Sequence, residues 1–358
     1  MKEINEKNSE ALNSIDKLKI EFNNSINSIQ EKSNQMILDI KNQAKEETKK
    51  LIEENNINIQ ISNLLNSAYQ TFNNKEYNKS INYYNKIIEM TDDLLKGYNE
   101  NSEEYSKYKN NYIIAYYNRG IAKLNLRLYE EAIEDYDKAI ELNSNDSEAY
   151  NNRGTAKANL GLYEEAIKDY DKAIELNPND FMAYNNIGAT KIKLKNYIES
   201  IEYFDKAIEL NSNDSEAYNN RGTAKANLGL YEEAIKDYNK AIELNPNHSN
   251  FYFNRGIAKK NLNQYKEAIK DFDKVIELNP NVSKYYFNKA LSKQLLANTT
   301  KSKKEKDKLI EEAYNDFMKG YNLADDKLKE EYKQRIINLA NPNNKAILKI
   351  CDEMGWEY

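Results

Sequence analysis

Between residues 113 and 282 two patterns of apolar positions alternate along the chain. In Ser147–Asp180, Tyr150, Gly154, Ala156 and Leu160 share one broad helical face. Tyr163, Ala166, Ile167, Tyr170, Ala173, Ile174 and Leu176 follow in steps of three and four and predict a second amphipathic helix. Gly161 stands where the first helix has to end, and Pro178 where the second cannot continue. The segment returns almost unchanged as Ser215–His248, with a looser copy from Phe181 between. Gly120, Gly154, Gly188, Gly222 and Gly256 are each 34 residues apart. A fixed period of this length predicts stacked helix pairs, none of which buries its apolar face alone.

Numbering each unit from 1 at Ser147 places an aromatic at 4, Gly at 8, Tyr at 17, Ala at 20, an aromatic at 24, Ala at 27 and Pro at 32. This resembles the tetratricopeptide repeat (TPR), a helix-turn-helix unit of 34 residues. Full units start at Ile113, Ser147, Phe181, Ser215 and Ser249. A sixth starts at Ser283, breaks off after Leu296 and resumes near Leu309, with Ala313, Phe317 and Leu323 in register. A weaker unit precedes them, marked by Ala68, Tyr77, Ser80, Tyr84 and Ile87. The resemblance implies an all-α protein, a right-handed α-solenoid of about seven helix-turn-helix TPR units. A TPR array is expected over 61–324, in units near 61–94, 113–146, 147–180, 181–214, 215–248, 249–282 and 283–324, with inserts at 95–112 and 298–308. Two departures from the family stand out: arginine at position 7 (Arg119, Arg153, Arg221, Arg255; Ile187 is the exception) and lysine at 11, as in Lys157 and Lys225. Units with the arginine carry Asp135, Asp169, Asp237 and Asp271 at position 23, the Ile187 unit carries Tyr203, and the last unit has Lys289 with Asp316. Antiparallel helices bring 7 and 23 side by side, which predicts a salt bridge within each such unit.

Residues 1–60 lack Gly and Pro, and Ile15, Leu18, Phe22, Ile26, Ile29, Met36, Ile40, Ala44 and Leu51 predict a long amphipathic helix. It is either a lone helix, helices folded back on the repeats, or a self-associating coiled coil with imperfect heptads. The 95–112 insert predicts longer flanking helices around a polar break at Gly97–Ser102. The lysines of the 298–308 insert form either a solvated extension or an attraction for an acidic partner. In 325–358, expected to supply C-terminal capping helices, Leu328, Tyr332, Ile336 and Leu339 share a face, Pro342 ends that helix, and a segment from Asn344 to Met354 with Trp356 beyond follows. That last segment either completes the cap or is a detachable tail.

The net charge of −6 and 31% charged residues favour neither nucleic acid nor a membrane surface. Residues 1–13 lack the apolar core of a secretory signal, no stretch is apolar enough to cross a bilayer, and Cys351 is the single cysteine, so the expected compartment is cytoplasmic. One histidine, His248, at a unit junction, and one cysteine leave no ordinary metal cluster, and no glycine-rich phosphate loop occurs. The acids recur on what reads as a solvated helix face. No enzyme activity, metal or cofactor is expected.

In the family the first helices line a concave groove that holds partner peptides at positions 2, 5, 6, 9, 12 and 13. Carried over, position 6 is Asn118, Asn152, Asn186, Asn220, Asn254 and Asn288. Such amides either grip a peptide backbone or hold neighbouring helices together. Position 5 adds Tyr117, Asn151, Asn185, Asn219, Phe253 and Phe287, and position 9 adds Ile121, Ile257 and Leu291 at the two ends. Phe253, Phe287, Ile257 and Leu291 are expected to form one apolar patch, which anchors a partner, lies under the chain's own tail, or loses Phe287 to the core. Lys is never at 5 and Arg never at 6, which disfavours the family's clamp for a C-terminal carboxylate. The reading is a protein-protein interaction scaffold or adaptor that takes a peptide segment of a partner in the groove. The alternatives are a structural protein that forms a homo-oligomer through residues 1–60, and a regulatory subunit of a separate enzyme.

Overall fold

A computed structural model describes residues 1–339 and 345–357. Among them are sixteen helices and no strand. The helices are α1 (Lys2–Asn73), α2 (Tyr77–Leu95), α3 (Glu103–Asn125), α4 (Tyr129–Leu142), α5 (Ser147–Asn159), α6 (Tyr163–Leu176), α7 (Phe181–Lys193) and α8 (Tyr197–Leu210). They continue as α9 (Ser215–Asn227), α10 (Tyr231–Leu244), α11 (Ser249–Asn261), α12 (Tyr265–Leu278), α13 (Ser283–Thr299), α14 (Lys303–Asn322), α15 (Asp326–Leu339) and α16 (Lys345–Met354). They fall into two compact units, residues 1–115 and 116–358, with the boundary inside α3.

In the first unit α1 is one helix of 72 residues, roughly 110 Å at ~1.5 Å per residue. Residues 1–53 are exposed throughout. Only the end of α1 packs on α2, where Ile61, Ala68, Tyr84 and Ile87 are buried and Ser80 Oγ donates to the Ala68 carbonyl at 2.9 Å. Tyr98, in the break between α2 and α3, donates to Glu54 at 3.1 Å.

The second unit is an α-solenoid of helix pairs, each packed on the next. The small residue at position 8 sets the distance within a pair: a Cβ on Gly154 would lie 2.7 Å from the Tyr170 ring. The turn between paired helices needs a left-handed residue. Gly161 supplies it at φ 82°, but Arg127, Lys195 and Asn263 occupy the same position at φ 63°, 62° and 62°.

The expected position-7 pairs are present. Arg119, Arg153, Arg221 and Arg255 each fork onto the aspartate of their own second helix, with Nη2 to Oδ1 at 2.6 Å in all four. Lys289 reaches Asp316 at 3.3 Å. The unusual lysine at position 11 joins the same carboxylate, as Lys157 to Asp169 at 2.8 Å. The second arm of the arginine crosses to the preceding unit: Arg153 Nη1 meets Asp137 at 2.6 Å, Arg221 meets Asp205 at 2.6 Å, and Arg255 meets the amide of Asn239 at 2.7 Å. Ile187 has no such arm to offer Asp171, whose carboxyl pKa is raised by burial more than Lys191 lowers it.

At the C-terminal end α13 runs on to Thr299 and α14 begins at Lys303, so the 298–308 segment mostly extends these two helices. Phe287, Phe317, Tyr332, Ile336, Ile347, Ile350 and Cys351 form one core with Met354 and Trp356 packed against it. The helix break expected at Pro342, and Asn344, lie outside the described residues.

Candidate functional site

Successive first helices touch one another (α5 with α7, α7 with α9, α9 with α11, α11 with α13), and consecutive second helices make no contact of that extent among the described residues. The first-helix side is therefore the closed, inner side of the stack, and positions 5, 6 and 9 lie on it.

The asparagines tie neighbouring helices together there. Asn186 Nδ2 donates to Asn151 Oδ1 at 3.0 Å, Asn220 to Asn185 at 3.4 Å, and Asn254 to Asn219 at 2.9 Å. Asn152 uses the Tyr117 hydroxyl in the same way at 3.0 Å. Position 6 of one unit thus holds position 5 of the unit before. Asn151 and Asn219 are only 7% exposed, so the expectation of them as groove contacts gives way to a role as buried acceptors. Asn152, Asn186, Asn220 and Asn254 are half-buried, each with one N–H committed. Asn118 is half-buried and engaged, and Asn288 turns back to donate to the Lys284 carbonyl at 2.9 Å.

Two clefts open between first helices. One, of about 200 Å³, has Thr155, Ala158 and Tyr163 on one side and Asn186, Ala189 and Lys193 on the other. The other, of about 460 Å³, has Thr223, Ala226 and Tyr231 facing Phe253, Ile257 and Asn261. The near-identical units supply one wall of each, and the following unit supplies the other. The repeated residues Thr155 and Ala158, and Thr223 and Ala226, give the two clefts one wall in common. The recesses differ because Ala189 and Lys193 complete one, Ile257 and Asn261 the other. The phenols of Tyr170 and Tyr238 border the two clefts and meet Thr155 and Thr223 at 3.4 Å; burial pushes both pKa values up to about 12.

The apolar ends are less alike than their sequences. Tyr117 and Ile121 pack on Tyr136, and Ile121 replaces the threonine that partners Tyr170 and Tyr238, which leaves the Tyr136 hydroxyl buried without a partner among the described residues. Phe253 is half-buried, beside Tyr285 at 5.3 Å with Lys284 Nζ 4.8 Å above its ring. Phe287 does not join it on the surface. It is 6% exposed, stacked on Tyr332 at 4.4 Å, and α16 closes over the same core; Leu291 borders a void of about 20 Å³ beneath that cap. The expected four-residue patch is thus halved to Phe253 and Ile257.

Tyr231 and Lys260 were not foreseen. Tyr231 lies on a second helix that repeat position assigns to packing. Lys260 is the lone cation in a position-12 row of Leu124, Ala158, Ile192 and Ala226, which is the signal that finds it. It lies one helical turn beyond Ile257 on α11. Its Nζ donates to Asn288 Oδ1 at 3.1 Å, and no carboxylate lies within ion-pair distance among the described residues. Burial, and then Arg335, lower its pKa.

The family model of the tetratricopeptide repeat matches residues 113–146, 147–180, 181–214, 215–248 and 249–282. The chain matches no curated protein. Among solved structures, a tetratricopeptide repeat protein from Parabacteroides merdae ATCC 43184 is similar over 81% of this chain and 99% of its own, with a TM-score of 0.53 and 19% identity, a likeness of fold. MamA from Desulfovibrio magneticus RS-1, residues 41 to its end, is 29% identical over 47% of this chain and 95% of its own, with a TM-score of 0.43. YrrB, a TPR protein with an unusual peptide-binding site, is 28% identical over 47% of this chain and 87% of its own, with a TM-score of 0.39. No helix of the described residues is long and apolar enough to cross a membrane.

Proposed function

Residues 113–282 are tetratricopeptide repeats, a scaffold for protein-protein interaction, and on that premise we propose that the chain is a non-enzymatic adaptor which holds an extended segment of a partner protein along the first-helix side. The partner's apolar side chain enters the cleft of Tyr231, Phe253 and Ile257, and an acidic group lies next to it at Lys260. The half-buried amides of Asn186 and Asn254 keep an acceptor and a second N–H for the partner's backbone, and Asn220, whose oxygen already accepts from Asn219 at 3.4 Å, keeps a second N–H.

One observation carries this reading. Two nearly identical half-sites are completed differently, and the one completed by Phe253 and Ile257 is the larger and has the bulkier apolar side chains on its second wall. Packing alone gives no reason for an isoleucine and a phenylalanine at an open recess when alanine and asparagine serve two units earlier. Lys260 adds a cation that no acid of the described residues answers. A half-buried charge of this kind gains most from a partner's carboxylate.

The test is selection of random displayed peptides on the chain, followed by affinity measurement against Ile257→Lys and Ala189→Lys. The reading predicts peptides with a large apolar residue next to an acid, at least a roughly tenfold loss on Ile257→Lys, or about 1.4 kcal/mol, and little change on Ala189→Lys. Affinity unchanged by Ile257→Lys would refute it.

A further inference from the structure

The exposed part of α1 has a period that heptads miss. Ile4, Ile15, Ile26 and Ile37 are spaced by 11 residues, and so are Leu18, Ile29, Ile40 and Leu51. Ala11, Phe22 and Ala44 fall on a third row with the same spacing, where Ser33 interrupts. Eleven residues close three helical turns at ~3.67 per turn, near the α-helix's own 3.6. The three rows therefore form one stripe that hardly drifts around a straight helix. A heptad seam read along it is imperfect for this reason. The stripe is bare: Ile15, Leu18, Phe22, Ile29, Ile37 and Ile40 are each 60–67% exposed. Ile20 and Leu38 lie off it.

Such a stripe, roughly 70 Å long at ~1.5 Å per residue, needs cover. A partner helix stays in register along all of it only if it carries the same 11-residue period, and α1 itself carries that period. The charges beside the stripe choose the direction. On a helix of ~98° per residue, one flank holds Lys19, Lys41 and Lys45. The other holds Glu3, Glu10, Glu21 and Glu47, with Lys32 as its exception. In a parallel pair opposite flanks meet, so lysines face glutamates; in an antiparallel pair like flanks meet.

We propose that residues 4–51 of α1 pair with the same residues of a second copy of this chain, parallel and in register, as a straight to slightly right-handed coiled coil. The pair brings two repeat arrays together, so that one dimer presents two binding faces.

The test uses the full chain. Light scattering after size exclusion is expected to give the mass of two chains. Leu18→Glu with Ile29→Glu, on the stripe, is expected to give the mass of one. Ile20→Glu with Leu38→Glu, off the stripe, is expected to leave the dimer intact, which separates loss of the seam from loss of helix. Ala11→Cys then reads direction: parallel register places the two thiols together and yields a covalent dimer on mild oxidation, above the background of the wild-type chain with its buried Cys351. Antiparallel pairing holds them tens of ångströms apart. A mass of one chain for the wild type, equal effects of the two double variants, or no Ala11→Cys cross-link would each overturn the proposal.

Discussion

Position 15 of each unit shows how one backbone demand is met by unequal residues. The turn requires a left-handed conformation; Gly161 and Gly229 adopt it freely, whereas Lys195 holds it at φ 62°. A side chain there costs about 1–2 kcal/mol, and glycine's extra freedom in the unfolded chain takes back about 0.5–1. Lys195→Gly is therefore expected to stabilise by about 0.5–1 kcal/mol, read as a higher urea midpoint by circular dichroism; an unchanged or lower midpoint would contradict this. Residue identity predicted some features and misled on others. The arginine and aspartate at positions 7 and 23 vary together, so their contact was legible. The asparagine row was legible as a row, but not its use, because the partner of Asn186 is Asn151, 35 residues back on another helix. An amide facing a peptide and an amide facing a neighbour look the same in sequence.

Between elements, the arginines act as rivets. Arg153 joins α5 to α6 through Asp169 and α5 to α4 through Asp137. The two acids differ in exposure, with side chains 7% and 55% accessible. Asp169→Asn leaves Arg153 and Lys157 facing a neutral amide in a mostly buried place, and is expected to cost about 3 kcal/mol or more. Asp137→Asn, at an exposed pair, is expected to cost less than about 1 kcal/mol. Urea titration of the two variants checks the order, and equal losses would show that the inner pair is no more dependent on burial than the outer. Helix boundaries within the repeats followed from apolar spacing and from the Gly–Tyr approach. The cap did not. Phe287 reads as a groove residue by its repeat position, yet α14 to α16 close over it, and no period relates Tyr332 or Ile350 to the units before them.

For the molecule, the repeats make many similar surfaces, and what distinguishes them is the wall that each unit lends to its neighbour. That is why copies that differ at only two of 34 residues yield unlike clefts, and why reading units one at a time was not enough to see it. A partner is expected to settle where Phe253 and Ile257 line the wider cleft and no acid of the described residues pairs with Lys260, near α9, α10 and α11, and to leave the α5–α7 recess empty. The most direct measurement is amide hydrogen exchange on the full chain with and without a peptide selected on it. The account predicts slowed exchange concentrated in residues 223–261, with residues 155–193 and α1 unchanged. Protection confined to α1 or to the second helices, with none in 223–261, would contradict it.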